Sequence, residues 1–272
     1  MTDLVLTGAS RGIGRALALE LASRGERLLL VARDAERLAS LVAEVEGRGG
    51  RAVAVVGDLS SVEGARLLGR RLAELTEPGA TLVHNAGIWP SARVLTAEGL
   101  ETAFVVNHLA PLALQRAMLD AGKLRRIMVV GAGLMTRGRF DARRTPTGED
   151  FSSIRTYCST KLALAVAMRD VAAEHPEVDV VVLHPGIVQT DLGARGGPVG
   201  WLVSRFKRRL ERPEVCAARL ARVLGREGWA ERGEARWLFE EAEQPWPEVA
   251  SAEGTRQAVR EATARWLGGG AR

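Results

Sequence analysis

The chain predicts a single-domain α/β fold built on a doubly wound parallel sheet. Three observations in the sequence predict it. Short apolar runs without polar alternation recur through the first two thirds of the 272 residues. Helical stretches of ten or more residues separate them, and a glycine-rich turn follows the first run. Unalternated runs of Val and Leu belong to strands covered on both faces, as parallel sheets require. Helices between such strands make right-handed crossovers.

The elements follow in order. Leu4-Val5-Leu6 is the first strand, and Gly12 to Ser23 a helix with apolar Ile13, Ala16, Leu17 and Leu21. Leu28 to Ala32 is a second strand, followed by an amphipathic stretch through Leu38, Leu41, Val42 and Val45. Ala52 to Val56 repeats the strand pattern and Val62 to Leu75 the helical one. A strand at Thr81–Val83 leads to a long helix from about Glu98 to Leu119. A strand at Ile127–Val130, a helix from about Ser153 to Ala173 and a strand at Val178–Leu183 complete the rhythm. Two segments break it: the polar loop 137–152, and 190–212, which opens on glycines and becomes an amphipathic helix with Trp201 and Phe206. Both follow strands, where open α/β sheets bind their ligands, so 190–212 is expected to be a substrate lid. A last helix near Ala252–Leu267 is expected to pack through Trp266.

Composition narrows the function classes. The net charge is +5, the aromatic fraction 4%, and the arginines are spread along helices beside glutamates. A nucleic-acid binder concentrates its charge and interleaves exposed aromatics, so no nucleic-acid partner is expected. No apolar run approaches the ~18 residues of a membrane span. The opening MTDLVLTGAS carries no basic leader, and a cytoplasmic protein is expected. Cys158 and Cys216 lie far apart and without metal-ligand spacing, which excludes a disulfide scaffold or zinc ribbon. The four histidines, at 84, 108, 175 and 184, show no ligand spacing and read as core or surface residues.

Chemistry enters at the first turn. Thr7-Gly8-Ala9-Ser10-Arg11-Gly12-Ile13-Gly14 lies between a strand and a helix inside a complete βαβ unit. Its glycines allow a tight turn and close approach to a pyrophosphate, whose charge rests on the helix N-terminus. After the second strand, an NAD(H) site would place an acidic residue to bind the ribose 2′-hydroxyl. Here Ala32-Arg33 precedes Asp34, and Arg33 with Arg11 could clamp a 2′-phosphate. NADP(H) is therefore expected over NAD(H), the alternative being two solvated arginines with Asp34 turned inward. The single tyrosine of the chain, Tyr157, stands four residues before Lys161, one of three lysines. That spacing puts both side chains on one helix face, where an ammonium can favour the phenolate. Such a pair can give a proton to a carbonyl or take one from an alcohol.

These residues resemble the short-chain dehydrogenase/reductase family, in its single-domain NADP-dependent form. The likeness runs from the first strand to about residue 195. It rests on TGASRGIG at 7–14, Asp58-Leu59, His84-Asn85-Ala86-Gly87, Asn107 in NHLAP, YCSTK at 157–161, and Pro185-Gly186-Ile187-Val188-Gln189-Thr190. The wording of NHLAP and HPGIVQTDL is similar to the retinol-dehydrogenase-like branch, which acts on lipophilic carbonyls and alcohols. The resemblance implies a Rossmann-type sheet, Tyr157 as general acid/base, Lys161 on the nicotinamide ribose, and Asn107 anchoring a proton-relaying water. It implies a cofactor site of Gly8, Ser10, Arg11, Gly12, Ile13 and Gly14, with Arg33, Asp58, Leu59, Asn85, Ala86 and Gly87. Tyr157, Lys161, Pro185, Gly186, Val188 and Thr190 complete it. A homodimer or homotetramer acting on a small carbonyl or alcohol substrate is what such a family member forms.

One departure stands out. The family normally carries a serine just after the fifth strand, bonded to the substrate oxygen. Here that position falls on Ala132, or on Gly131 with a slip of one. Loss of one such donor typically costs about 10²–10³ in rate. Thr136, Ser152 and Ser153 are candidate substitutes, and a cofactor-binding sensor or scaffold with little turnover is the rival to an enzyme.

Overall fold

A computed structural model describes residues 2–186, 188 and 211–268. Its strands are β1 (Asp3–Thr7), β2 (Arg27–Ala32), β3 (Arg51–Val56), β4 (Ala80–His84), β5 (Leu124–Val130), β6 (Asp179–His184), β7 (Ala235–Phe239) and β8 (Ala242–Gln244). They form one sheet in the order β3-β2-β1-β4-β5-β6-β7-β8, parallel throughout except for the antiparallel edge strand β8. The order reverses between β1 and β4, so the crevice of the doubly wound fold opens above their carboxyl ends.

Strand side chains alternate between two cores. Leu4, Leu6, Leu28 and Leu30 face α1 (Gly12–Leu21) and α2 (Ala35–Gly47). Val5, Leu29 and Val31 face the opposite layer, which holds α3 (Val62–Leu75), α4 (residues 102–120) and α5 (Ser153–Glu174). The helix starts are chemically specified. Asp34 accepts from the Arg37 amide, Ser61 from Gly64 and Ser152 from Arg155, each satisfying an otherwise orphaned N–H.

The helix expected from Glu98 begins later. Thr96 to Glu101 is a turn, and the Glu101 carboxylate accepts from the Phe104 amide to start α4. That helix runs as Thr102–Phe104, a π-helical segment Val105–Leu109, and Ala110–Asp120. Elements not anticipated from sequence close the fold, α6 (Pro213–Leu224), β7, β8 and a short helix at Glu248–Ser251, and another short helix, Arg144–Thr147, lies in the expected polar loop. The last helix, α7 (Glu253–Leu267), packs Trp266 against the core as expected. Among the described residues no helix is long and apolar enough to cross a membrane. The expected lid, 190–212, lies outside the described residues except for its last two.

Candidate active site

The turns at the carboxyl ends of β1, β2, β3, β4, β5 and β6 enclose one cavity of about 1000 Å³. One end of it is a backbone cradle. Gly8 has φ +67°, and a Cβ there would stand 2.9 Å from the Ala86 Cα. A Cβ on Gly14 would press to 2.3 Å from the Gly8 carbonyl oxygen, so α1 packs this closely only without one. Gly14 thus supports the cradle from behind, while Gly8, Ser10, Arg11, Gly12 and Ile13 line it. Arg11 precedes α1 in extended conformation without capping it by its side chain, which leaves the first-turn N–H groups for an anion.

Arg33 lines the same end, as expected, with Asp34 and with Arg37, which sequence reasoning missed. Asp34 caps α2 and pairs with the Arg37 guanidinium at 3.1 Å. Its charge is therefore neutralised locally, while Arg11 and Arg33 supply the positive charge. Asp58 and Leu59 border the cavity too. Asp58 does not cap α3, a role Ser61 fills; its two oxygens accept from the Ser60 amide and hydroxyl. Asn85 ties the β4 turn to the β1 turn, donating to the Thr7 and Gly8 carbonyls at 3.0 and 3.2 Å. Ala86 and Gly87 continue that wall.

At the far end stand Tyr157 and Lys161, on successive turns of α5 and lining the same cavity. The Lys161 ammonium is buried and donates to the Val130 carbonyl at 3.1 Å. Burial brings it down to about 8. Burial pushes the Tyr157 phenol well above its ordinary value, so in the chain by itself desolvation outweighs the lowering expected from the neighbouring ammonium. A residue not singled out in the sequence covers one face of the ring. Trp89 stacks on the Tyr157 ring, centroids 4.4 Å apart and planes 7° apart, and its indole N–H donates to Ser153 at 3.0 Å. Its place two residues past Gly87, on the carboxyl rim of β4, was the available signal.

Asn107 lies behind the wall, fully buried in the π-helical segment. Its side chain accepts from the Ile88 amide at 2.8 Å and donates to the Ile88 carbonyl and to Thr160. It thereby locks the β4 loop to α5, consistent with the clustering of π-turns at functional sites. Pro185, Gly186 and Val188 line the cavity at the end of β6, where Arg219 holds the Pro185 carbonyl at 3.0 Å. Thr190 lies outside the described residues.

Ala132 lines the cavity without a hydroxyl. The three candidate substitutes are engaged elsewhere: Thr136 donates to the Gly133 carbonyl, Ser152 caps α5, and Ser153 accepts from Trp89. Cys158 and Cys216 are both buried, and burial raises both thiols, Cys216 to about 12. His84 and His108 are core residues bonded to Gln115 and Thr263.

Residues 3–138, from β1 through the loop after β5, match the sequence pattern of the short chain dehydrogenases. The chain belongs to that family. Within it, the relatives place it in the retinol-dehydrogenase-like branch. The short-chain dehydrogenase is 29% identical over 247 residues to human retinol dehydrogenase 13, covering 82% of this chain and 74% of that one. It is 33% identical over 192 residues to a Streptomyces sp. (strain C5) protein named for an unproven daunorubicin C-13 ketoreductase activity, covering 70% and 67%. Its fold matches an alcohol dehydrogenase of the archaeon Thermococcus sibiricus complexed with 5-hydroxy-NADP. That match has a TM-score of 0.66 at 28% identity and covers 90% of this chain and 99% of that one.

Proposed function

We propose that this family member is an NADP(H)-dependent oxidoreductase that interconverts a ketone or aldehyde with its alcohol. The observation that carries the reading is the convergence of Tyr157 and Lys161 on the cavity whose other end is the glycine cradle and its arginines. The residues fit the cofactor. The open N–H groups of α1 would hold the pyrophosphate, and Arg11 with Arg33 the 2′-phosphate. Asp58 and Leu59 would border the adenine, and Pro185, Gly186, Val188 and Thr190 the nicotinamide. When bound, the reduced nicotinamide supplies the hydride.

The chain's own residues manage the proton and the geometry. Tyr157 donates its hydroxyl proton to the substrate oxygen in reduction and takes it back in oxidation. A phenol kept protonated by burial is suited to the reductive direction at neutral pH. Lys161 holds the ribose and brings positive charge beside the phenol, and Asn107 fixes the loop that frames both. The substrate end is walled by Ile88, Trp89, Val106 and Leu134, which favours a lipophilic carbonyl. A lid at 190–212, a single domain spanning 1–272, a cytoplasmic setting and a homodimer or homotetramer belong to the same proposal.

A second reading, a cofactor-binding sensor or scaffold with little turnover, draws on one observation: the hydroxyl-free Ala132 in the cavity wall. Absorbance loss from NADPH with a panel of aliphatic, aromatic and retinoid carbonyls separates the two. The enzyme reading expects turnover that Tyr157→Phe removes. NADPH binding without turnover across the panel would establish the sensor instead.

A further inference from the structure

The loop after β5, Gly131-Ala132-Gly133, leaves a gap in the cavity wall where a hydroxyl donor is missing, and a ring from the next strand stands over it. His184 ends β6 and lines the cavity together with Ala132, Gly133 and Tyr157. A Cβ on Gly133 would lie 2.9 Å from the imidazole Nε2 and Cδ2, so the ring approaches this closely only over a glycine. Phe239 holds its other side edge-on, with centroids 4.9 Å apart and planes at 71°. The imidazole makes no hydrogen bond among the described residues, and its Nδ1 is buried without a partner. A buried N–H without an acceptor is rarer than a buried lone pair without a donor, which assigns the proton to Nε2, the nitrogen beside Gly133. Burial also holds the imidazole below its usual value, so the ring is a neutral donor at physiological pH.

We propose that His184 is a second catalytic hydrogen-bond donor. Its Nε2–H binds the substrate oxygen that Tyr157 protonates, in place of the serine hydroxyl that Ala132 lacks. This assignment rests on the reductase reading above. In the step, hydride from the reduced nicotinamide adds to the carbonyl carbon and the C=O π pair moves to oxygen. That oxygen takes the Tyr157 hydroxyl proton, and His184 keeps its own proton throughout. A preformed donor aimed at developing negative charge stabilises the transition state more than the ground state, so its loss falls on kcat.

The test uses the full chain saturated with NADPH, with 4-nitrobenzaldehyde and all-trans-retinal as probes. His184→Phe preserves the edge contact with Phe239 and removes the donor. The expected result is a kcat lower by about 10²-fold with the NADPH Kd unchanged. Ala132→Ser added to His184→Phe should recover at least about tenfold, a larger factor than Ala132→Ser gives in the parent, because two donors to one oxygen are not additive. If His184→Phe loses NADPH binding, His184→Leu replaces it with the same outcomes. Turnover in the His184 variant within about threefold of the parent, or an equal gain from Ala132→Ser in both backgrounds, overturns the assignment. With Tyr157→Phe inactive, that result leaves the reductase reading standing. A parent that binds NADPH yet reduces neither probe nor any other panel carbonyl overturns both.

Discussion

At Lys161 the proposed function stands against stability. Its ammonium is buried, bonded to the Val130 carbonyl, and brought from 10.5 down to about 8. Between those two values the unfolded chain holds a proton that the folded chain releases, so folding stability rises with pH across that window. Below pH 8 the full desolvation burden is present, equivalent to about 3 kcal/mol. Lys161→Met should therefore raise the Tm of the cofactor-free protein at pH 7 by several degrees and flatten its increase between pH 8 and 10. It should also abolish turnover. Thermal unfolding at pH 7 and 9.5 checks this, and a variant less stable than the parent at pH 7 contradicts it. Tyr157 and Lys161 were legible in sequence because the chain has one tyrosine and three lysines, so their spacing stands out against an almost empty background. Trp89 and His184 were not. Indoles and imidazoles serve cores as readily as sites, and only the folded turns bring them to Tyr157 and Gly133.

At the scale of elements, the proposed choice of dinucleotide rests with the turns that leave β1 and β2. Asp34 is committed to the α2 cap and to Arg37, while Arg33 lines the cavity with Arg11. Removing one guanidinium from a phosphate clamp costs about 1.5–3 kcal/mol. Arg33→Ala should thus weaken NADPH about 10- to 100-fold and leave NADH nearly unchanged, as read by fluorescence titration of both. Equal losses for the two cofactors contradict the clamp. Most of the strands and long helices up to β6 were readable as apolar runs, several of them opened by a capping residue or bounded by glycine. Val62–Leu75 matches the expected bounds, and Ser153 opens its helix as expected. The start of α4 was misplaced because apolar periodicity does not register the Thr96–Glu101 turn, which a Glu101 carboxylate bond terminates. β7 reads ARWLF and pairs with a three-residue exposed edge strand. Its brevity and its arginine conceal a strand that only the sheet beside it specifies.

At the scale of the molecule, the strand order reverses at β1 and β4, and that reversal places the cradle, the arginines and the Tyr157–Lys161 pair around one cavity. The cradle with Arg11, the Arg33 turn and the Tyr157–Lys161 pair lie far apart in sequence, so the site exists only once the sheet has formed. A parallel sheet with a helix over each crossover was predictable from patterning, and the antiparallel β8 was an addition to it. In the proposed reaction this cavity delivers a hydride and a proton to one carbonyl. Reduction of 4-nitrobenzaldehyde with NADPH carrying deuterium at both nicotinamide C4 positions, followed by mass spectrometry of the alcohol, is the decisive experiment. Deuterium is expected on the carbinol carbon, with no labelled alcohol from Tyr157→Phe. Unlabelled alcohol, or label transfer undiminished in Tyr157→Phe, would contradict it.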